Sequence, residues 1–504
     1  MTGRGALDAL VAASALIAAA ACSGSGSPQS GREVAARPRP NVVFVLADDL
    51  GWGELGSYGQ ARIRTPALDR MAREGLRFTD HYSGSPVCAP SRDVLLTGLH
   101  AGHAYIRDND ELPERGDVWG DTLLEGQRPL LPDTYTLGRL FQDAGYVTAA
   151  IGKWGLGGPG SSGEPNLQGF DHWVGYLCQR EAHNYYPTHL WKNGEKLPLP
   201  GNAWFSAHQR LPADADPDDP ASYAPYSGAT YAVDVMMGEA ETFLRAHRDE
   251  PFFLYLPLPL PHLALQVPDG EVSAYRGAFP EEPYTGDRGY LPNREPRAAY
   301  AAMISRLDDG VGHVLALLEE LGLEERTLVV FTSDNGPSWV GGVDPAFFTS
   351  SGGLRGRKAQ LWEGGIRVPL LARWPGRVPA GAVSAQASGF ADWMATFADL
   401  LDRRPPAGDG VSLLPTLLGA SGEPSASGAL YWEFQGAQAI RFGTWKAMRP
   451  APGAPLELYD LAADPGETMD LAPYRSDLVA EAERRLAGAR TESELFPLRS
   501  PSRE

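Results

Sequence analysis

The chain has 504 residues, of which 43% are hydrophobic and 21% charged, and carries a formal net charge of −19. A chain of this length can bury a large core, and its acidic balance excludes a protein held to nucleic acid by a basic surface. Nor can long-range attraction gather anions, so an anionic substrate has to be gripped locally by Lys and Arg.

Residues 1–21, "MTGRGALDALVAASALIAAAA", hold one Arg and then an apolar run too short to span a bilayer comfortably, which takes roughly 20 residues. This predicts a signal peptide. Small residues run into Cys22 and "SGSGSPQSG". The pattern resembles a bacterial lipoprotein signal, in which Cys22 is lipidated and becomes the mature N-terminus; ordinary cleavage near Ala21 is the alternative. On the first reading the protein is exported to the cell envelope or periplasm and touches a membrane only through the lipid on Cys22. Residues 22–40 then form a Ser/Gly/Pro-rich tether.

Beyond the tether come short apolar runs of the kind buried on both faces of a sheet: "NVVFVLADD" (41–49), "YVTAAIGKW" (146–154), "PFFLYLPLPLPH" (251–262) and "TLVVFTSDNG" (327–336). Amphipathic patterns at 65–76, 136–145, about 229–247 and 297–321 predict helices between and beside them. The alternation implies an α/β fold over 41–425 with a large, mostly parallel sheet sandwiched by helices. Each run ends in reactive side chains: Asp48 and Asp49, Lys153, His262 just beyond the third, and Asp334 with Asn335. Ligands of open α/β sheets bind outside the carboxyl ends of the strands, so these endings are expected to converge. Turn residues accumulate near 401–428. After them "ALYWEF", "QAIRFGTWKAMR" and "LELYDLAADPGE", followed by a helix at 475–488, predict a small antiparallel C-terminal domain over 426–504.

Only three cysteines occur, Cys22, Cys88 and Cys178, too few for a disulfide framework. Cys178 reads as a small apolar core residue, with a bridge to Cys88 the alternative. Asp48, Asp49, Asp334 and Asn335 offer side-chain oxygens and no soft ligand, a set suited to Ca²⁺ or Mg²⁺. Singly, each pair could be an ordinary turn; at the ends of two buried strands, together they point to a metal.

In order along the mature chain, "VLADDLGWGELGSYG", "TPALDRMAREGLRFTDHYSGSPVCAPSRDVLLTG", "GKWGLG", "PLPHLALQVP", "FTSDNGP", "LRGRKAQLWEGGIRVP" and "LYDLAADPGET" resemble the type I sulfatases of the alkaline-phosphatase-like superfamily. The most specific element is C-x-P-x-R, here Cys88, Pro90 and Arg92. The resemblance implies that a separate maturation enzyme converts Cys88 to Cα-formylglycine. One hydroxyl of the hydrated aldehyde attacks sulfur, and the other re-forms the aldehyde as sulfate leaves. It implies one Ca²⁺ held by Asp48, Asp49, Asp334 and Asn335, with position 88 completing the shell. It further implies that Arg92 holds the nucleophile and the carboxylates, that Lys153 and Lys358 bind sulfate oxygens, and that His262 contacts sulfate or protonates the leaving oxygen. Asp334 doubles as the activating base.

One position departs from the family. Where many relatives read G-K-W-H, this chain has Gly155, and His183 and His189 are expected to fill the space; a surface hairpin around "KNGE" is the alternative for both. With Trp339, these histidines are expected to meet the substrate, a sulfated sugar or oligosaccharide cleaved in exo fashion. Two other readings stay open: a phosphoester hydrolase of the same superfamily, and a non-catalytic sugar-binding lipoprotein on a sulfatase frame.

Overall fold

The computed structural model describes residues 39–110, 127–404, 406–420 and 428–498. The expected signal peptide, Cys22 and nearly all of the tether lie outside the described residues. Among the described residues no helix is long and apolar enough to cross a membrane.

The strand β1 (Asn41–Ala47) is buried along its whole length. Val43, Val45 and Ala47 enter one hydrophobic cluster and Val42, Phe44 and Leu46 enter another. A strand apolar on both faces belongs at the centre of a covered sheet. The sheet has eleven strands. The others are β2 (Leu76–Tyr82), β3 (Val147–Lys153), β4 (His172–Tyr176), β5 (His189–Lys192), β6 (Glu195–Pro198), β7 (Phe252–Pro257), β8 (Thr327–Ser333), β9 (Arg367–Arg373), β10 (Ala382–Ser384) and β11 (Ser388–Gly389). Their order is β10-β2-β9-β8-β1-β7-β3-β4-β5-β6, with β11 beside β2. The four strands expected from sequence are the four neighbours β8-β1-β7-β3, all mutually parallel.

The helices α1 (Pro66–Glu74) and α4 (Ala232–Ala246) and the long helix Pro296–Glu320 cover one face of the sheet. On the other lie α2 (Cys88–Thr97), α3 (Leu137–Asp143) and the helix Asp392–Leu400. Antiparallel strands occur next to and outside this parallel centre: β9 pairs antiparallel with β2 and β8, and β5 with β4 and β6. The expected mostly parallel, helix-covered sheet is the observed one.

A second sheet of β12 (Leu430–Phe434), β13 (Ala437–Phe442), β14 (Trp445–Arg449) and β15 (Glu457–Asp460) is antiparallel throughout. Its strands alternate. Tyr431, Ile440, Ala447 and Leu458 pack with Ala482 and Leu486 of the helix Ser476–Gly488. Trp432, Ala439 and Met448 pack instead with Tyr82, Val87, Leu361 and Ile366 of the larger body. Beneath this seam Lys446 is fully buried between Glu363 at 3.0 Å and Glu467 at 2.8 Å. Removing one member of a buried ion group strands the remaining charges, which costs about 3–5 kcal/mol. Lys446→Met is expected to lower the unfolding free energy read from denaturant titration by that order, and adding Glu467→Gln to recover part of the loss.

Candidate active site

The strand register decides which side chains meet. Ala47 ends β1 opposite Ser333 at the end of β8, so Asp48 and Asp334 emerge side by side. Lys153 closes β3, which lies one strand beyond β7. Hydrogen bonds then lock the ends: Asp334 N–H donates to Ala47 O at 3.0 Å, Leu50 N–H to the Ser333 hydroxyl at 2.9 Å, and Asp48 N–H to Leu260 O at 3.0 Å. Asp49 turns back in the left-handed region at φ 66°, its N–H donating to Asp334 Oδ1 at 3.1 Å. A non-glycine residue held there is strained, and such strain concentrates at functional sites.

Cys88 opens α2, with Val87 as the N-cap. Its Sγ lies 3.4 Å from Asp48 Oδ1, 3.9 Å from Asp49 Oδ1, 3.7 Å from Lys153 Nζ and 3.5 Å from Lys358 Nζ. Arg92, one turn along the helix, donates to Asp334 Oδ2 through Nη2 at 2.8 Å and Nε at 3.1 Å, and approaches Asp48 Oδ2 at 3.3 Å. Its remaining nitrogen donates to the Lys153 carbonyl. Lys153 Nζ meets Asp48 Oδ2 at 2.5 Å and Lys358 Nζ meets Asp49 at 2.7 Å. Lys358 keeps 13% of its side chain exposed while Arg92, Lys153 and Asp48 keep none, so Lys358 marks the open side.

These contacts set the ionisation. Burial opposes charge on Asp48, but Lys153, His262, Arg92 and Lys358 outweigh it and hold its carboxyl well below the usual range. Burial, aided by the Asp48 charge, raises Asp334 to about 6. Burial and Asp48 also push the Cys88 thiol up, so the unmodified side chain is a protonated thiol and a poor nucleophile.

His262 Nε2 stands 3.6 Å from Asp49 Oδ2. Its Nδ1 sits 2.6 Å from the Leu263 carbonyl, which can only accept, so Nδ1 carries a proton. Burial, then Lys153 and Lys358, lowers His262 to about 3. His183 stacks on its ring at 4.8 Å and 14° and meets His208 at 3.1 Å; Tyr290 packs against all three imidazoles.

Asp48, Asp49, Cys88 and His262 bring ligand atoms within 4.8 Å of one another. Asn335 is held by donating Nδ2 to Asp49 Oδ1 at 2.7 Å, while its buried Oδ1 has no hydrogen-bond partner. A buried carbonyl oxygen without a donor, beside three buried carboxylates, suits a hard cation.

Every catalytic and metal position expected from sequence thus falls in one cluster: Asp48, Asp49, Cys88, Arg92, Lys153, His262, Asp334, Asn335 and Lys358. The expected substrate residues divide. His183 joins the cluster through His262. His189 lies in the edge hairpin β5–β6, two strands beyond β3, where its ring meets Trp191 at 5.8 Å. Trp339, in the loop after β8, packs under Arg357 at 4.6 Å. Cys88 and Cys178 are both buried and form no disulfide. Tyr290 and His208 went unread in the sequence, because "DRGYLPN" and "SAHQR" are aperiodic loops; the scarcity of histidine, ten in the chain, was the one available signal.

Gly155 has a physical reason. Its φ is 78°, and a Cβ there would sit 2.7 Å from Gln179 Cγ. Gln179 is itself held by Asn109 at 3.1 Å. Restoring the family's histidine with Gly155→His is therefore expected to leave turnover no higher and to cost about 1–3 kcal/mol of stability. Gly155→His with Gln179→Gly should regain part of that loss in a thermal melt.

Residues 40–403 match a family model described as Sulfatase. An N-acetylgalactosamine-6-sulfatase of Canis lupus familiaris is 30% identical over 442 residues, covering 86% of this chain and 74% of that protein. Arylsulfatase A of Homo sapiens is 32% identical over 482 residues, covering 86% and 84%. Among solved structures, Ps i-CgsB in complex with k-i-k-neocarrahexaose superposes with a TM-score of 0.70 at 25% identity, covering 89% of this chain and 92% of that one.

Proposed function

The chain belongs to the sulfatase family and is a sulfuric ester hydrolase, and we propose that its substrates are sulfated carbohydrates, attacked in exo fashion. The canine relative is named for N-acetylgalactosamine-6-sulfate chemistry and the crystallised neighbour holds an oligosaccharide, which supports this substrate class. The observation that carries the mechanism is Cys88 at a helix N-terminus, ringed by carboxylates, the partnerless Asn335 oxygen and two lysines.

Asp48, Asp49, Asp334 and Asn335 would hold Ca²⁺, with position 88 completing the shell. When bound, the ion supplies positive charge that favours an ionised nucleophile and offsets the charge of sulfate. Converting Cys88 to Cα-formylglycine supplies, as its hydrate, two hydroxyls on one carbon.

The chain's own residues do the rest. Three cationic side chains, Arg92, Lys153 and Lys358, balance three carboxylates, Asp48, Asp49 and Asp334. A divalent ion would leave a positive surplus, which an anionic sulfate ester relieves. Lys153 and Lys358, each within 3.7 Å of Sγ, grip sulfate oxygens attached at position 88. The N-terminus of α2 adds its own preference for anions. Arg92 keeps Asp48 and Asp334 apart yet aligned, and Asp334 takes the proton of the attacking hydroxyl. His262 turns Nε2 toward the site and meets the sulfate; it protonates the leaving oxygen only after the bound anion has let Nε2 take up a proton. His183, stacked on His262, is the imidazole that stands in for the histidine missing at Gly155.

Intact-peptide mass spectrometry across position 88, on protein made with a formylglycine-generating enzyme, is expected to show the aldehyde in place of the thiol. Turnover on a panel of sulfated mono- and oligosaccharides is expected to vanish in Cys88→Ala and to fall on chelation, with Ca²⁺ restoring it. Turnover of aryl sulfates alone would refute the carbohydrate assignment. Preference for phosphate esters, or an unmodified thiol with no sulfate turnover at all, would favour one of the two alternative readings.

The apolar run ending at Cys22 supports export to the cell envelope with a lipid anchor. Cys22→Ala is expected to move the enzyme from the membrane fraction to the soluble fraction while leaving its specific activity unchanged.

A further inference from the structure

The helix that presents Cys88 at one end meets a second cluster of ligating side chains at the other. Gly98 closes α2 in the left-handed conformation at φ 73°, its N–H donating to Val94 O at 2.9 Å. The chain then makes a tight turn, with His103 N–H and Ala104 N–H both reaching back to His100 O. That turn stacks the rings of His100 and His103 at 4.4 Å and 20°. Asp409 comes to it from a loop some three hundred residues away. Its N–H donates to Gly98 O at 3.0 Å, and its carboxylate accepts from His100 N–H at 2.9 Å.

The ring nitrogens converge on that carboxylate. His103 Nδ1 is 2.9 Å from Asp409 Oδ1 and 3.0 Å from Oδ2, and His100 Nδ1 is 3.7 Å from Oδ2. Gly102 N–H donates to His100 Nδ1 at 3.2 Å, so this nitrogen presents a lone pair. An unprotonated nitrogen, its lone pair taken by the Gly102 N–H, thus lies 3.7 Å from an anionic oxygen at the negative end of a ten-residue helix, a place that favours a cation. One ligand atom from each residue fits within 4.8 Å of the others. The side chains remain 17–30% exposed, so solvent can enter and supply further ligands.

A tie between loop and turn would need only Asp409 and the His100 backbone N–H. It does not explain two imidazoles turned onto the same carboxylate. Two ring nitrogens and one carboxylate, with a position open to water, match a borderline divalent ion of the zinc class; the catalytic cluster's hard oxygens match calcium.

We propose that His100, His103 and Asp409 form a second metal site, for a zinc-class cation, which fastens the loop around Asp409 to the C-terminal end of α2. Binding requires His103 to carry its proton on Nε2 and so leave Nδ1 free, and it displaces the weak Gly102 donation from His100. The site is independent of substrate and of the catalytic proposal.

Full-length protein, matured at position 88 and loaded with Ca²⁺, would be titrated with Zn²⁺ and with Co²⁺. One added equivalent of Zn²⁺ is expected to raise the thermal midpoint, and Co²⁺ to show the ligand-field absorption of a nitrogen-containing site. His103→Ala and Asp409→Asn are each expected to weaken zinc binding by about tenfold or more and to abolish the thermal shift, with zinc-free sulfatase turnover unchanged. Should either variant fail to fold, His100→Ala and anomalous diffraction at the zinc edge read the same site. Unchanged affinity in the folded variants, or zinc density found only beside Asp48 and Asp49, would overturn the proposal.

Discussion

Three carboxylates, Asp48, Asp49 and Asp334, can share one buried pocket only because Arg92, Lys153 and Lys358 are held among them. Isolated charges in a protein interior are prohibitively costly, and a buried ion pair lasts only where its geometry is good and its other hydrogen-bonding groups are satisfied. The larger sheet meets that demand. Its central strands end level with one another, so backbone bonds from Asp48, Leu50 and Asp334 fix the carboxylates before any cation reaches them. The balance is local: the chain as a whole is strongly acidic, yet this pocket pairs each carboxylate with a cation.

The cations come from separate elements. Arg92 rides on α2, Lys153 ends β3, and Lys358 belongs to a loop that crosses the open side and donates its N–H to Pro337 O at 3.1 Å. Distortion of any one element would leave an unpaired charge. The seam between the two sheets follows the same rule, with Lys446 between Glu363 and Glu467. The small sheet thus presses through Trp432 on β2 and the segment preceding Cys88, which links it to the position of the nucleophile.

Legibility varied with the physical signal. The runs that became β1, β3, β7 and β8 were legible because strands covered on both faces must be apolar throughout. The strand β2 escaped notice because "LRFTDHY" is polar at Thr79, Asp80 and His81, and a register shift between Phe78 and His81 breaks its pairing with β9. The strand β9 begins and ends in arginine, whose charges are met by Asp80, Glu363, Glu74 and Glu324 from elsewhere. His183 and His189 looked equivalent in one short segment. Their fates diverged because one sits in a single-turn helix against His262 and the other in an edge hairpin.

By itself the sequence determined the composition of the site. The acidic pairs, the C-x-P-x-R element and the lysines are chemical identities, and their positions after apolar runs are local facts. It could not determine which strands would be neighbours, since pairing joins residues hundreds of positions apart and leaves no local trace. Tertiary structure alone decided that Asn335 would keep a buried oxygen without a donor and that Gln179 would leave room at 155 for glycine only. It also decided that His208, Tyr290 and Asp409 would come from irregular loops to stand where their chemistry matters. Those outcomes depend on close packing between distant segments, which no periodicity encodes.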